Sequence, residues 1–147
     1  EGPVASGEQR LRMLELATAS RDHWQADSMD LERGGVSYSI HTIQTMRERY
    51  PHDDLYWILG ADLLDSVKDW HRASEICREV SFLCLSRPGH VFSNSDLPPW
   101  LSWNSILSHN MGISSSDIRQ RIKQGLPVDL FTPDCVVRFI RQEALYS

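Results

Sequence analysis

Three serines followed by an arginine form the clearest anion-binding candidate in the chain. In Ile113-Ser114-Ser115-Ser116-Asp117-Ile118-Arg119 a serine run leads into a helical pattern. Arg119 follows Ser115 by four positions and Ser116 by three, so the three share one helix face. A helix start presents unpaired backbone N–H groups and the positive end of the helix dipole. Hydroxyls and a guanidinium added there suit phosphate oxygens. The competing reading is that Ser115 caps a helix and Arg119 is solvated. A second candidate is Gly60-Ala61-Asp62: the glycine permits close approach of a ligand, and the carboxylate suits ribose hydroxyls or else caps the next helix. A third is aromatic. Tyr38 and Ser39 stand at a helix start and Trp70 lies further on; a flat heteroaromatic ring can lie on the indole with its carboxylate against the helix N–H groups. Lone aromatics are more often packing, and that reading stays open. Arg87, in Arg87-Pro88-Gly89, is a fourth and weaker phosphate candidate.

The elements that position these residues follow from periodicity. Leu55 to Leu59 is a run of large apolar residues without charge, which predicts a short strand buried on both faces. In an open parallel sheet, ligands sit beyond the carboxyl ends of the strands, which puts Gly60, Ala61 and Asp62 on a rim. Val80 to Leu85 predicts a second buried strand, and Arg87 then follows at the same kind of rim. Ser6-x-x-Gln9 is a capping box opening a helix over residues 8–20, with Leu11, Leu14 and the pair Met13/Ala17 as its stripe. Trp24 to Met29 reads as a short strand and Leu31 to Val36 as a turn. Ser37 and Tyr38 open a helix carrying Ile40, Ile43 and Met46 that ends near Tyr50-Pro51. Residues 62–78 read as one or two helices broken near Trp70. Residues 91–112 read as irregular, with a short strand near Ser105–Ser108. A helix runs from Ser115 to Gln124 and stops at Gly125. The last helix opens at Thr132-Pro133-Asp134, with Pro133 at its first position and Val136, Val137 and Ile140 inward. Helices alternating with apolar strands indicate an α/β fold with a parallel sheet.

Bulk properties narrow the function classes. The chain has 147 residues, 41% hydrophobic and 24% charged, which suits one globular domain. A net charge of -5 argues against a broad nucleic-acid footprint. Cys77, Cys84 and Cys135 form no Cys-x-x-Cys pair, and the six histidines form no ligand pair at helical or strand spacing. Neither a disulfide framework nor a protein-held metal is expected. No membrane span and no signal peptide are evident, and the cytoplasm is the expected setting.

Taken in order, the motifs resemble bacterial nicotinate-mononucleotide adenylyltransferase. The resemblance runs through Arg10-Leu11-Arg12-Met13-Leu14-Glu15-Leu16-Ala17, Ser37-Tyr38-Ser39-x-x-Thr42, Gly60-Ala61-Asp62 with Trp70, Arg87-Pro88-Gly89, the serine run to Arg119, and Leu145-Tyr146. It implies a Rossmann-like nucleotidyltransferase domain that transfers AMP from ATP to nicotinate mononucleotide, releasing pyrophosphate in NAD biosynthesis. Tyr38, Ser39 and Thr42 would frame the pyridine carboxylate. Trp70 would stack on the ring, His71 would lend backbone contacts, and Arg87 would sit near the mononucleotide phosphate. ATP would be held by Gly60, Asp62, Ile113, Ser114, Ser115, Ser116 and Arg119, with Arg119 and Ser115 serving catalysis. The attacking phosphate is already anionic, so alignment and charge stabilisation suffice, with Mg²⁺ carried on the ATP phosphates. The serine-led helix and the Asp62 rim are expected to face one cleft.

The resemblance also exposes a departure. The family opens with a strand ending in a Gly-Ser-Phe-Asp-Pro-like loop, a His-x-Gly-His-like motif, a helix and a second strand, and none of these occurs here. The expectation is a partial chain whose first strand–helix–strand unit belongs to another segment or chain. That first strand would lie between residues 24–29 and 55–60, and without it two-sided burial of the central strand fails. Activity of the 147 residues alone is left open, as is oligomeric state, self-association included. Smaller departures are Ser39 for a commoner Thr, His71 for a common aromatic, and Ser86 for a second basic residue. They leave open whether the amide mononucleotide is also used. The rival readings are another adenylyltransferase of the superfamily, such as the phosphopantetheine type, and a non-catalytic nucleotide-binding fragment.

Overall fold

The computed structural model describes residues 5–85, 97–106 and 114–147, and for Ala61 and Asp62 the backbone alone. The chain packs as two compact units: residues 1–34 with 113–147, and residues 35–112.

The second of these units carries the sheet. Helix α3 (Ser39–Arg49) leads into strand β1 (Tyr56–Gly60), a 3₁₀ helix (Ala61–Asp69), α4 (Ala73–Glu79), β2 (Ser81–Leu85) and β3 (Trp103–Ile106). The three strands are parallel in the order β1-β2-β3, with Trp57 opposite Phe82 and Phe82 opposite Trp103. An α3 of eleven residues and a β1 of five both measure about 16 Å. The helix packs its Ile40 and Ile43 into the same core cluster as Leu59 of the strand it feeds. One face of the sheet is filled. Ile40 and Ile43 from α3, Val67 from the 3₁₀ helix and Ile76 from α4 close over Leu59, Phe82 and Cys84. Phe82 is fully buried, which is worth about 2–3 kcal/mol against exposure.

Two-sided burial of residues 55–59 is corrected by the structure. Leu59 is buried, but Tyr56 and Ile58 are 55% and 61% exposed. Among the described residues β1 pairs on one edge only, with β2, and no element covers the face that Tyr56 and Ile58 present. Apolar composition alone does not supply a covering layer.

Arg47 ties the lower end of this unit together. Its Nη1 donates to the Asp53 carbonyl at 2.7 Å, Nη2 to the Glu79 carbonyl at 2.8 Å, and Nε to the Glu79 carboxylate at 3.2 Å. These bonds clamp the end of α3, the loop into β1 and the end of α4. They also line a cavity of about 280 Å³ with Asp54, Tyr56 and Arg78, at the amino ends of the strands. Arg47→Ala is expected to lower the unfolding free energy by about 2 kcal/mol, since it strands partly buried acceptors. Urea denaturation followed by circular dichroism checks this.

The other unit joins α1 (Gly7–Thr18), α2 (Met29–Arg33), α5 (Ser115–Lys123) and α6 (Asp134–Gln142). The Ser6/Gln9 capping box forms as its spacing predicts. The apolar face of α1 is Met13, Leu16 and Ala17 against Val136, Ile140 and Leu145, while Leu14 is 56% exposed, so the predicted stripe is rotated. The strand over residues 24–29 does not form. No neighbouring strand offers it a ladder among the described residues; instead Met29 N–H donates to the Asp27 carboxylate and Ser28 C=O accepts from Leu31 and Glu32, which starts α2. At α6 the N-cap is Pro133 rather than Thr132, because the Pro133 carbonyl takes the first helical bonds, from Val136 and Val137. Val136, Val137 and Ile140 are buried as their spacing predicts.

Candidate active site

Tyr38, Ser39, Trp70 and His71 come together. With Ser37 and Ile76 they line a cavity of about 230 Å³ where α3 begins. Tyr38 is the N-cap of α3, and its side chain makes no capping hydrogen bond; the first turn of the helix carries no acid. The first N–H groups of a helix lack i→i−4 partners; the His41 N–H turns back to the Tyr38 carbonyl, and the helix start presents its positive dipole end. Thr42 lies one turn along α3, half-buried, and is not among the lining residues.

Trp70 serves packing and pocket at once. Its indole meets Trp57 at 6.3 Å and 77°, and Phe82 at 6.0 Å and 79°, both edge contacts of the favourable kind. The ring is thus anchored from the core while it lines the cavity. His71 is exposed and its ring lies 4.4 Å from that of Tyr38. Ser37 belongs to the Ser37-Tyr38-Ser39 motif and was within reach of sequence reasoning. Ile76 was not, since an apolar helix position carries no mark of a site. Such a pocket, with an indole wall and an uncapped helix start, can hold a flat ring bearing an anionic group.

The serine run opens a helix at Ser115, as its pattern predicts. Ser114, not Ser115, is the N-cap of α5. Its hydroxyl accepts from Asp117 N–H at 3.1 Å, while the Asp117 carboxylate accepts from Ser114 N–H at 2.8 Å and from the Ser114 hydroxyl at 2.6 Å. This capping box uses the third N–H of the helix itself, so the groups left at the mouth are those of Ser115 and Ser116. Arg119 Nη2 donates to Ser116 Oγ at 2.9 Å, which puts these two on one face. Arg119 is exposed.

The Ser114 hydrogen bonds hold the Asp117 carboxyl below the usual aspartate value. The cap therefore contributes fully above that ordinary value and is lost as pH falls through the lower, folded-state value. Acid titration by NMR is expected to move the Ser114 amide in step with the Asp117 carboxyl, below the usual aspartate range. A Ser114 amide that shifts independently contradicts the cap.

At the rim of β1, Gly60 has φ −72° and ψ 148°, ordinary extended backbone that demands no glycine. The Asp62 side chain, Arg87 and Ile113 lie outside the described residues. Burial pushes the Cys77 thiol up to about 11 and raises that of Cys84, so both are protonated at neutral pH and poor nucleophiles. Among the described residues no three His, Cys, Asp or Glu side chains gather as a metal site, and no helix is long and apolar enough to cross a membrane.

Comparison with known proteins gives a consistent picture. The cytidylyltransferase-like family matches residues 1–121. Two relatives carry the name "probable nicotinate-nucleotide adenylyltransferase". The Kineococcus radiotolerans protein is 37% identical over 98% of this chain and 69% of its own length. The Saccharopolyspora erythraea protein is 36% identical over 97% of this chain and 67% of its own length. Among solved structures, Plasmodium falciparum nicotinic acid mononucleotide adenylyltransferase complexed with APC aligns at a TM-score of 0.74 and 17% identity, over 97% of this chain and 76% of that one. At that identity the likeness establishes the fold, a Rossmann-like α/β architecture.

Proposed function

This chain belongs to the nicotinate-nucleotide adenylyltransferases of the cytidylyltransferase-like family, and on that premise we propose that it transfers AMP from ATP to nicotinate mononucleotide, giving nicotinate adenine dinucleotide and pyrophosphate. The observation that carries this reading is the pocket formed by Trp70, His71, Tyr38 and Ser39 at an uncapped helix start. The pyridine ring lies against the Trp70 indole, and its carboxylate takes the first N–H groups of α3, Ser39 among them, with Thr42 supporting that turn. His71 adds backbone contacts and Arg87 meets the mononucleotide phosphate.

At the start of α5, the N–H groups and hydroxyls of Ser115 and Ser116 and the Arg119 guanidinium receive ATP phosphates, while Ser114 closes the cap that fixes this turn. Gly60 and Asp62 hold the ATP ribose, and Ile113 contributes backbone. The reaction breaks the bond between the ATP α-phosphorus and the pyrophosphate oxygen as the mononucleotide phosphate oxygen bonds to that phosphorus. Negative charge grows on the departing pyrophosphate, and in this reading Arg119 with Ser115 stabilises it. A divalent cation, Mg²⁺ in this reading, rides on the ATP phosphates rather than on carboxylates of the chain, and when bound it neutralises phosphate charge. The reading places the protein in the cytoplasm.

Titration of tryptophan fluorescence separates this from the phosphopantetheine-type alternative. Quenching that saturates with nicotinate mononucleotide and not with phosphopantetheine is expected; the reverse order overturns the assignment.

A further inference from the structure

We propose that the imidazole of His71 is a positioning residue of this pocket, acting through the ring of Tyr38. The proposal rests on the reading of the pocket as the pyridine site and extends it, since the resemblance gives His71 backbone contacts only. The two ring centroids are 4.4 Å apart with planes inclined by 37°, a close tilted contact between the stacked and edge-to-face arrangements. His41 meets the same Tyr38 ring edge-on at 5.9 Å and 85°. Tyr38 is 41% exposed and its side chain makes no capping bond to its own helix; among the described residues the rings of His71 and His41 bear on it.

A backbone feature next to His71 supports the pairing. Arg72 adopts the left-handed conformation, φ 58° and ψ 39°, which residues other than glycine rarely take. Its Nε and Nη2 grip the two oxygens of Glu75 at 2.8 and 2.5 Å. That corner turns the chain between the 3₁₀ helix and α4 while His71 lies on Tyr38. Successive residues thus hold different walls: Trp70 is fixed by Trp57 and Phe82, and His71 pins Tyr38 at the mouth of α3. A restrained Tyr38 loses less freedom when a ligand arrives, so affinity improves without a new contact to the ligand. Any flat ring at position 71 supports the stack, and the imidazole nitrogens are not required.

The test is binding and turnover with His71→Ala, His71→Phe, Tyr38→Ala and the double variant Tyr38→Ala/His71→Ala. His71→Ala is expected to raise KM and Kd for nicotinate mononucleotide about five-fold, with the loss falling on KM rather than kcat and with ATP affinity little changed. His71→Phe restores the wild-type values, and the double variant binds no more weakly than Tyr38→Ala alone. The proposal is overturned if His71→Ala binds like wild type, if His71→Phe is as weak as His71→Ala, or if the two losses add. Failure of the underlying pocket reading looks different: the wild-type protein itself then shows no saturable binding of nicotinate mononucleotide, and the His71 role falls with it.

Discussion

Trp70→Ala is expected to raise KM for nicotinate mononucleotide about 10- to 100-fold while KM for ATP changes less than about threefold, since stacking of a heteroaromatic ring on an indole is worth roughly 1–3 kcal/mol. The same substitution has a second consequence that the sequence motif does not announce. The indole also packs on Trp57 and Phe82, so its removal should cost about 3 kcal/mol of stability. Trp70→Phe separates the two effects: it keeps most of the core contact and a smaller stacking face. Steady-state kinetics below the midpoint of thermal unfolding reads the binding effect without interference from unfolding. Equal losses for both substrates refute the stacking role.

Arg119→Ala is expected to lower kcat/KM about 100-fold with no change in unfolding midpoint. Stability is spared because the side chain is exposed and its one described bond is to Ser116 on its own helix; such surface contacts contribute little. Activity suffers because a guanidinium aimed at developing phosphate charge acts mainly in the transition state. Arg119→Lys keeps the charge but not the two-pronged geometry, and should recover only part of the loss. A decrease below threefold removes Arg119 from catalysis.

How much of this was legible in the sequence varies by element, for physical reasons. The capping box at Ser6 and Gln9, the buried Ile40 and Ile43 of α3, the strand β2 and the Gly125 stop after α5 all rest on local signals, and all form. Gly125 takes φ 69°, the left-handed stop that glycine favours. Residues 55–59 went wrong in one respect: the strand exists, but an apolar run does not say what will cover it, and Tyr56 and Ile58 stand exposed. Residues 24–29 were read as a strand although a strand requires a neighbour, which no local pattern supplies. At the site, the gathering of Tyr38, Ser39, Trp70 and His71 followed from the ordered motifs. The stack of His71 on Tyr38 was not legible, because it accompanies a left-handed Arg72 and arginine gives no hint of that conformation. The box closed by Asp117 was readable as Ser114-x-x-Asp117, yet the three serines drew attention to Ser115 instead.

The central claim is that one catalyst joins a pyridine mononucleotide to the adenylyl group of ATP. It is tested most directly by incubating the protein with ATP, Mg²⁺ and nicotinate mononucleotide, alone and with the strand–helix–strand unit of the family supplied, and resolving the products by chromatography and phosphorus NMR. The account predicts nicotinate adenine dinucleotide and pyrophosphate in equal amounts in at least one of the two preparations. Absence of the dinucleotide from both, with binding of either nucleotide intact, would contradict it.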